Sequence, residues 1–149
     1  MIRELLCVRD FHNKMGIAER IRLPTTESLV LHGFADVFLQ ASTQLESQVA
    51  NPDRRWISAH LLVEELGEII KAMAKGDEAG TLDGLGDLIY IILGVAERFD
   101  LPISQAFHEI HRSNMSKERQ PGDPGRVRDK GPNYFPPDIK GILREYRDV

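Results

Sequence analysis

The sequence predicts an all-α fold, and three observations carry that prediction. Apolar residues recur at intervals of three and four through residues 27–48 and 53–75, the spacing of one helix face rather than of a strand. Helix stop and start signals divide the chain: Gly16 before these stretches, Asn51-Pro52 between them, and Asp100 with Pro102 after them. Residues 82–99 are apolar almost all round, with a polar strip (Asp83, Asp87, Tyr90, Gly94) at helical spacing. The expected architecture is a bundle of four to five main helices with a Pro/Gly-rich basic loop and a short C-terminal helix. At 149 residues the chain is read as one domain, residues 1–149, large enough to bury a core.

Residues 3–15 read as a short amphipathic helix ended by Gly16. In it the single Cys7 lies in an apolar pattern with Leu6 and Phe11, the setting of a core thiol rather than a nucleophile. Residues 17–26 form a connection containing Pro24, after which Thr25 or Thr26 can cap the next helix. That helix runs from Glu27 to about Gln48, with Leu31, Phe34, Ala35, Phe38, Ala41 and Leu45 on its buried face. Asn51 and Pro52 supply a cap and a first-turn proline for residues 53–75, and Asp53 puts negative charge where the helix dipole favours it. Leu62, Leu66, Ile69 and Met73 line one side of this helix, widened by Val63 and Ile70.

The other side carries Glu64, Glu65 and Glu68, with Leu61 and Ala72 among them. These three carboxylates share a face, and no basic residue on that face is expected to neutralise them. A reversal around Gly76 to Gly80 leads into the apolar helix with Asp83 and Asp87. Folded antiparallel, the hairpin brings the two acidic sets level. A helix as apolar as 82–99 is expected to be buried, where massed carboxylates repel one another and lose hydration. A divalent cation resolves both problems, and all-oxygen ligands favour Mg²⁺, or Mn²⁺ in its place, over Zn²⁺. The plainer alternative is a solvated EELGE face with Asp83 and Asp87 capping a helix start. The apolar residues among the glutamates suggest an acidic face partly covered by another subunit.

Residues 103–117 read as a further helix in which His108 and His111 are ordinary amphipathic positions. From Glu118 to Pro137 the composition shifts to Pro, Gly and charge. Between Arg112 and Lys130 six basic residues (Arg112, Lys117, Arg119, Arg126, Arg128, Lys130) face three acids (Glu118, Asp123, Asp129), so the segment suits phosphate. Residues 138–147 close with a short helix. There is no Gly-rich phosphate loop of either common pattern.

A net charge of −4 argues against a dedicated nucleic-acid or membrane surface. One cysteine excludes an intramolecular disulfide, and no N-terminal run reads as a signal peptide, so a cytoplasmic location is expected. A carboxylate cage beside a basic segment fits a polyphosphate substrate bridging metal and Lys/Arg groups. Glu64, at the edge of the cluster, is the candidate to take a proton from the attacking water.

EELGE, then DGLGDLIY, HRSNMSK and KGPNYFPPDI, in this order, resemble the all-α nucleoside triphosphate pyrophosphohydrolases of the MazG-like and phosphoribosyl-ATP pyrophosphohydrolase-like group, over roughly residues 60–142. The resemblance implies Mg²⁺-dependent cleavage between the α and β phosphates, releasing a nucleoside monophosphate and pyrophosphate. It implies Glu65, Glu68 and Asp87 as metal ligands and Glu64 as the residue assisting the water. It implies Asn114, Lys117 and Lys130 as contacts to substrate phosphate and sugar, and Arg112 and Tyr134 beside them complete the candidate substrate-binding set. It further implies a homodimer or a dimer of dimers with the site near the subunit interface. One departure matters: the first acid of the family's ExxD is Gly84 here, and Asp83, one turn from Asp87, is the expected replacement ligand. The function expected is hydrolysis of a nucleoside triphosphate, a dNTP above all. Phosphoribosyl-ATP hydrolysis is the alternative, as is a non-catalytic metal- and nucleotide-binding helical module, the reading that Gly84 supports.

Overall fold

A computed structural model describes residues 2–17, 22–53, 55–118 and 130–148. Among them the chain forms six α-helices and no strand: α1 (Ile2–Met15), α2 (Leu29–Glu46), α3 (Arg55–Lys75), α4 (Glu78–Arg98), α5 (Ile103–Met115) and α6 (Ile139–Arg147). The all-α expectation therefore holds. Residues 119–129 of the basic loop, with Arg119, Arg126 and Arg128, lie outside the described residues. The contacts divide the chain into two units, Met1–Arg20 with Asp100–Val149, and Ile21–Phe99.

In the unit from Ile21 to Phe99, α3 packs on both α2 and α4. The Ser28 amide donates to the Ala74 carbonyl at 2.8 Å, and Ser42 Oγ lies 2.9 Å from His60 Nδ1. Moving from 28 to 42 along α2 matches the same retreat from 74 to 60 along α3, so the two helices run antiparallel in a fixed register. Small residues let them approach: Ala35, Ser42, Gly67 and Ala74 are all buried. A Cβ on Gly67 would stand 3.0 Å from Leu39 Cδ2.

The reversal into α4 is tighter than the sequence suggests. Gly76 takes φ +69°, and a Cβ there would come within 2.4 Å of the Pro24 carbonyl oxygen, so a side chain is excluded on both counts. Asp77 then caps α4, its Oδ1 accepting from the Gly80 amide at 2.9 Å. Asp83 and Asp87 consequently lie in the body of α4 rather than at its opening. Ser28, rather than Thr25 or Thr26, occupies the N-cap of α2. Asp53 precedes α3 and accepts from the Arg55 amide at 3.0 Å; the Arg55 guanidinium and that amide hold its carboxyl at about 2.

The expectation of a buried α4 is not met. Leu82 is 73% exposed and Leu93 52%, and Leu85, Ile89 and Ile92 are also exposed. The physical reason is geometric: α3 covers one flank of a cylinder that is apolar round most of its circumference. By length and composition alone α4 could also cross a membrane. The outer face of α2 is similarly bare at Leu29, Val30, Phe34 and Val37.

In the other unit α5 packs on α1 and on α6. Gly16 ends α1 with φ +69°, as the sequence indicates, and Met15 is buried. Asp138 caps α6 through the Gly141 amide at 2.8 Å, and Tyr146 donates to Asp100 Oδ1 at 2.8 Å. Cys7 is half-buried.

Candidate active site

Two close approaches set the register between α3 and α4. A Cβ on Gly84 would lie 2.7 Å from Ile69 Cγ1, and one on Gly80 would lie 3.3 Å from the Ala72 Cβ. Position 69 therefore faces 84 and 72 faces 80, so counting back along α3 and forward along α4 brings 65 level with 87. The antiparallel hairpin expected from the sequence is present, and it carries Glu65 and Glu68 to the same level as Asp83 and Asp87.

The electrostatics agree with that register. Burial raises the pKa of the Glu65 carboxyl, and the charges of Glu68, Asp87, Glu64 and Asp83 push it further in the same direction. All five candidate carboxylates therefore contribute to one local field. Glu68, Asp83 and Asp87 also line a cleft of about 360 Å³ between the helices.

Lys71 and Lys75 line the same cleft, which corrects the expectation that this face carries no cation. They follow Glu68 at helical spacing on α3, and that spacing was the signal available in the sequence. No ion pair within 4 Å joins them to Glu65, Glu68, Asp83 or Asp87 among the described residues. The cluster is crowded with negative charge and only bordered by positive charge.

An all-carboxylate donor set with a carboxyl held above its ordinary range suits a hard divalent ion. As the side chains stand, no three described His, Cys, Asp or Glu groups converge closely enough to hold one. The two observations differ in range: charge repulsion is felt over several ångströms, while Mg²⁺ requires oxygens at about 2.1 Å. The donor chemistry is that of a hard divalent ion.

Gly84 explains the departure from the ExxD pattern in packing terms. The position is buried against Ile69, so α3 and α4 approach too closely for an acid there. Asp83, one residue earlier, is exposed on the cleft.

Glu64 differs from its neighbours. Its Oε2 lies 3.6 Å from His60 Nε2, with 39% of its side chain exposed. His60 in turn touches Ser42 on α2. Sequence reading missed His60, because a lone histidine on an amphipathic helix gives no signal until α2 is placed against it. Beside His60 an open pocket of about 570 Å³ is lined by Glu46, Val49, Trp56 and Ile57.

The remaining candidates all belong to the other unit. Lys117 Nζ donates to Asn114 Oδ1 at 2.7 Å, so NMSK folds back on itself at the end of α5. Lys130 Nζ stands 5.1 Å from the centre of the Tyr134 ring, a cation–π distance. Arg112 donates through Nε and a terminal nitrogen to Glu109, both at 2.6 Å, and its guanidinium lies 4.2 Å over Phe135. Glu109 also accepts from the Asp138 amide at 2.7 Å, so Arg112 is engaged in joining α5 to the start of α6.

A family model described as phosphoribosyl-ATP pyrophosphohydrolase matches residues 31–114. No curated protein and no solved structure matches the chain.

Proposed function

Because the chain belongs to the phosphoribosyl-ATP pyrophosphohydrolase family, whose members hydrolyse acid anhydrides, we propose that it is a Mg²⁺-dependent nucleoside triphosphate pyrophosphohydrolase that cleaves between the α and β phosphates of a dNTP. The observation that carries this reading is the register of α3 against α4, which brings Glu64, Glu65 and Glu68 level with Asp83 and Asp87; burial, then the charges of the other four, raise the pKa of the half-buried Glu65. Glu68, Asp83 and Asp87 are exposed, so solvent offsets part of their repulsion, and what remains suits a substrate that arrives with a cation.

Glu65, Glu68, Asp83 and Asp87 would hold Mg²⁺, with Mn²⁺ as a substitute. When bound, the ion offsets charge on the phosphate oxygens and makes the α-phosphorus more electrophilic. Glu64 takes a proton from the attacking water as that oxygen bonds to the α-phosphorus, and the pyrophosphate oxygen departs with the electron pair of the broken anhydride. Lys71 and Lys75 at the cleft offset part of the negative charge brought by the substrate.

Asn114, Lys117, Lys130 and Tyr134 are proposed to contact phosphate and sugar. Arg112 is proposed to act beside them while anchored by Glu109. The pocket walled by Val49 and Trp56 is proposed to receive the base. Trp56 and Glu64 are eight positions apart on α3, about 12 Å along the axis, comparable to a nucleoside with its first phosphate.

The bare apolar faces of α2 and α4 support a second copy of the chain as their cover, in a homodimer or a dimer of dimers. A single domain acting in the cytoplasm, with no nucleic-acid or membrane partner, completes the proposal.

A second reading has one observation in its favour, the description of the matching family: the substrate would then be phosphoribosyl-ATP. Purified protein is incubated with Mg²⁺ and a panel of dNTPs, NTPs and phosphoribosyl-ATP, and pyrophosphate is measured. Release from dNTPs supports the first reading and release from phosphoribosyl-ATP alone supports the second. Binding without release from any of them, in folded protein, points to a non-catalytic module.

A further inference from the structure

We propose that His60 is a positioning residue that keeps Glu64 out of metal coordination and turned toward the attacking water. The inference rests on the hydrolase reading above and adds a division of labour among the five carboxylates.

Three contacts carry it. Ser42 is 4% exposed, and its Oγ and carbonyl oxygen lie 2.9 and 3.2 Å from His60 Nδ1. One edge of the imidazole is thus fixed to α2. The opposite edge, Nε2, lies 3.6 Å from Glu64 Oε2, and only 15% of the His60 side chain is exposed. In the tautomer protonated at Nε2 the ring turns that proton toward Glu64 while Nδ1 accepts from the Ser42 hydroxyl; in the tautomer protonated at Nδ1 the ring donates to the Ser42 carbonyl instead.

Glu64 is the one carboxylate of the five with a basic group within 4 Å among the described residues. Its neighbours Glu65, Glu68, Asp83 and Asp87 are left to one another and to a cation. Five equivalent carboxylates on one ion would leave none to accept a proton. A ring fixed on its far side by a buried serine breaks that equivalence, because it gives Glu64 a partner 3.6 Å away, one turn back along α3 and away from the other acids. The register of α2 against α3 thereby determines which glutamate acts as the base.

The test uses the full chain carrying His60→Ala, His60→Gln or Ser42→Ala, with kcat and KM for the best substrate measured beside Mn²⁺ binding by calorimetry without nucleotide. In His60→Ala, kcat is expected to fall about tenfold or more, the usual cost of removing an orienting partner, with KM little changed. Mn²⁺ affinity is expected to rise several-fold as the freed Glu64 joins the cluster. His60→Gln, whose amide can still donate to Glu64, recovers much of both properties, and Ser42→Ala moves both in the direction of His60→Ala.

Wild-type kcat and Mn²⁺ affinity in His60→Ala overturn the proposal. So do parallel losses of kcat and affinity, which would make His60 a ligand or a purely structural residue. If His60→Ala does not fold, the Gln and Ser42→Ala variants decide on the same criteria. If the wild-type protein turns over no nucleotide, the hydrolase reading fails by itself, and the Mn²⁺ comparison still decides whether His60 restrains Glu64.

Discussion

Asp87 on α4 lies level with Glu65 on α3, with the Ile69–Gly84 contact between them and the turn. After burial and the charge of Glu68, the charge of Asp87 is the next cause of the raised Glu65 pKa. Glu65, Glu68, Asp83 and Asp87 are gathered by helix packing, and among the described residues none of the four has an ion pair of its own.

That arrangement implies a stability cost in the metal-free protein. A carboxyl with a raised folded-state pKa binds its proton more tightly folded than unfolded, so stability falls as pH rises from the unfolded value through the folded one, and the deficit persists at neutral pH. Glu65→Gln is therefore expected to raise the urea midpoint at pH 7 in the presence of a chelator. Mg²⁺ is expected to stabilise the wild type and to stabilise this variant less. A lower midpoint for Glu65→Gln would show that Glu65 has a protein counter-ion.

Glu68→Gln and Asp87→Asn are expected to reduce turnover about a hundredfold or more, as loss of a catalytic ion's ligands does, while the fold remains intact. The comparison of initial rates with circular dichroism spectra tests this. A variant that retains most of the wild-type rate removes that residue from the ligand set.

Restoring the family's acid by Gly84→Glu should not improve the enzyme. The added Cβ meets Ile69 Cγ1 at 2.7 Å, and overpacking of this kind costs about 1–3 kcal/mol. A lower melting temperature without tighter Mn²⁺ binding is expected. Unchanged stability with tighter binding would mean that the helices separate freely and that Asp83 is a poor substitute.

Glu109 provides a pH test in the other unit. Hydrogen bonds from Arg112, and then from the Asp138 amide, hold its carboxyl down to about 2. A depressed folded value stabilises above the unfolded pKa of about 4.3 and loses that contribution as pH falls through about 2. Acid unfolding followed between pH 5 and pH 2 should be less steep in Glu109→Gln than in the wild type. Equal slopes would mean that the Arg112 pair contributes nothing to stability.

The exposed face of α4 yields a prediction about assembly. Leu93 is 52% exposed, and burial of a leucine contributes about 2 kcal/mol, so Leu93→Glu should shift the sedimentation of the protein toward the monomer. A wild-type protein that is already monomeric at micromolar concentration would leave α4 without the proposed partner.

Helix positions were legible in the sequence wherever a local rule governs them. Gly16 ends α1, and the α3 and α4 acids share faces, because periodicity and turn chemistry act within a few residues. The exact caps, Ser28 rather than Thr25 or Thr26 for α2 and Asp77 for α4, were not legible, since several residues nearby satisfy the same rule and packing chooses among them. The chain by itself determined that five carboxylates would gather on one hairpin, because their spacing matches the helical repeat on both arms. Only the tertiary structure decided that Lys71 and Lys75 border them, that Gly84 is too close to Ile69 to carry an acid, that α4 remains exposed, and that His60 joins Ser42 to Glu64. Each of these depends on the register between helices distant in sequence, and that register is fixed by where small buried residues let two backbones touch.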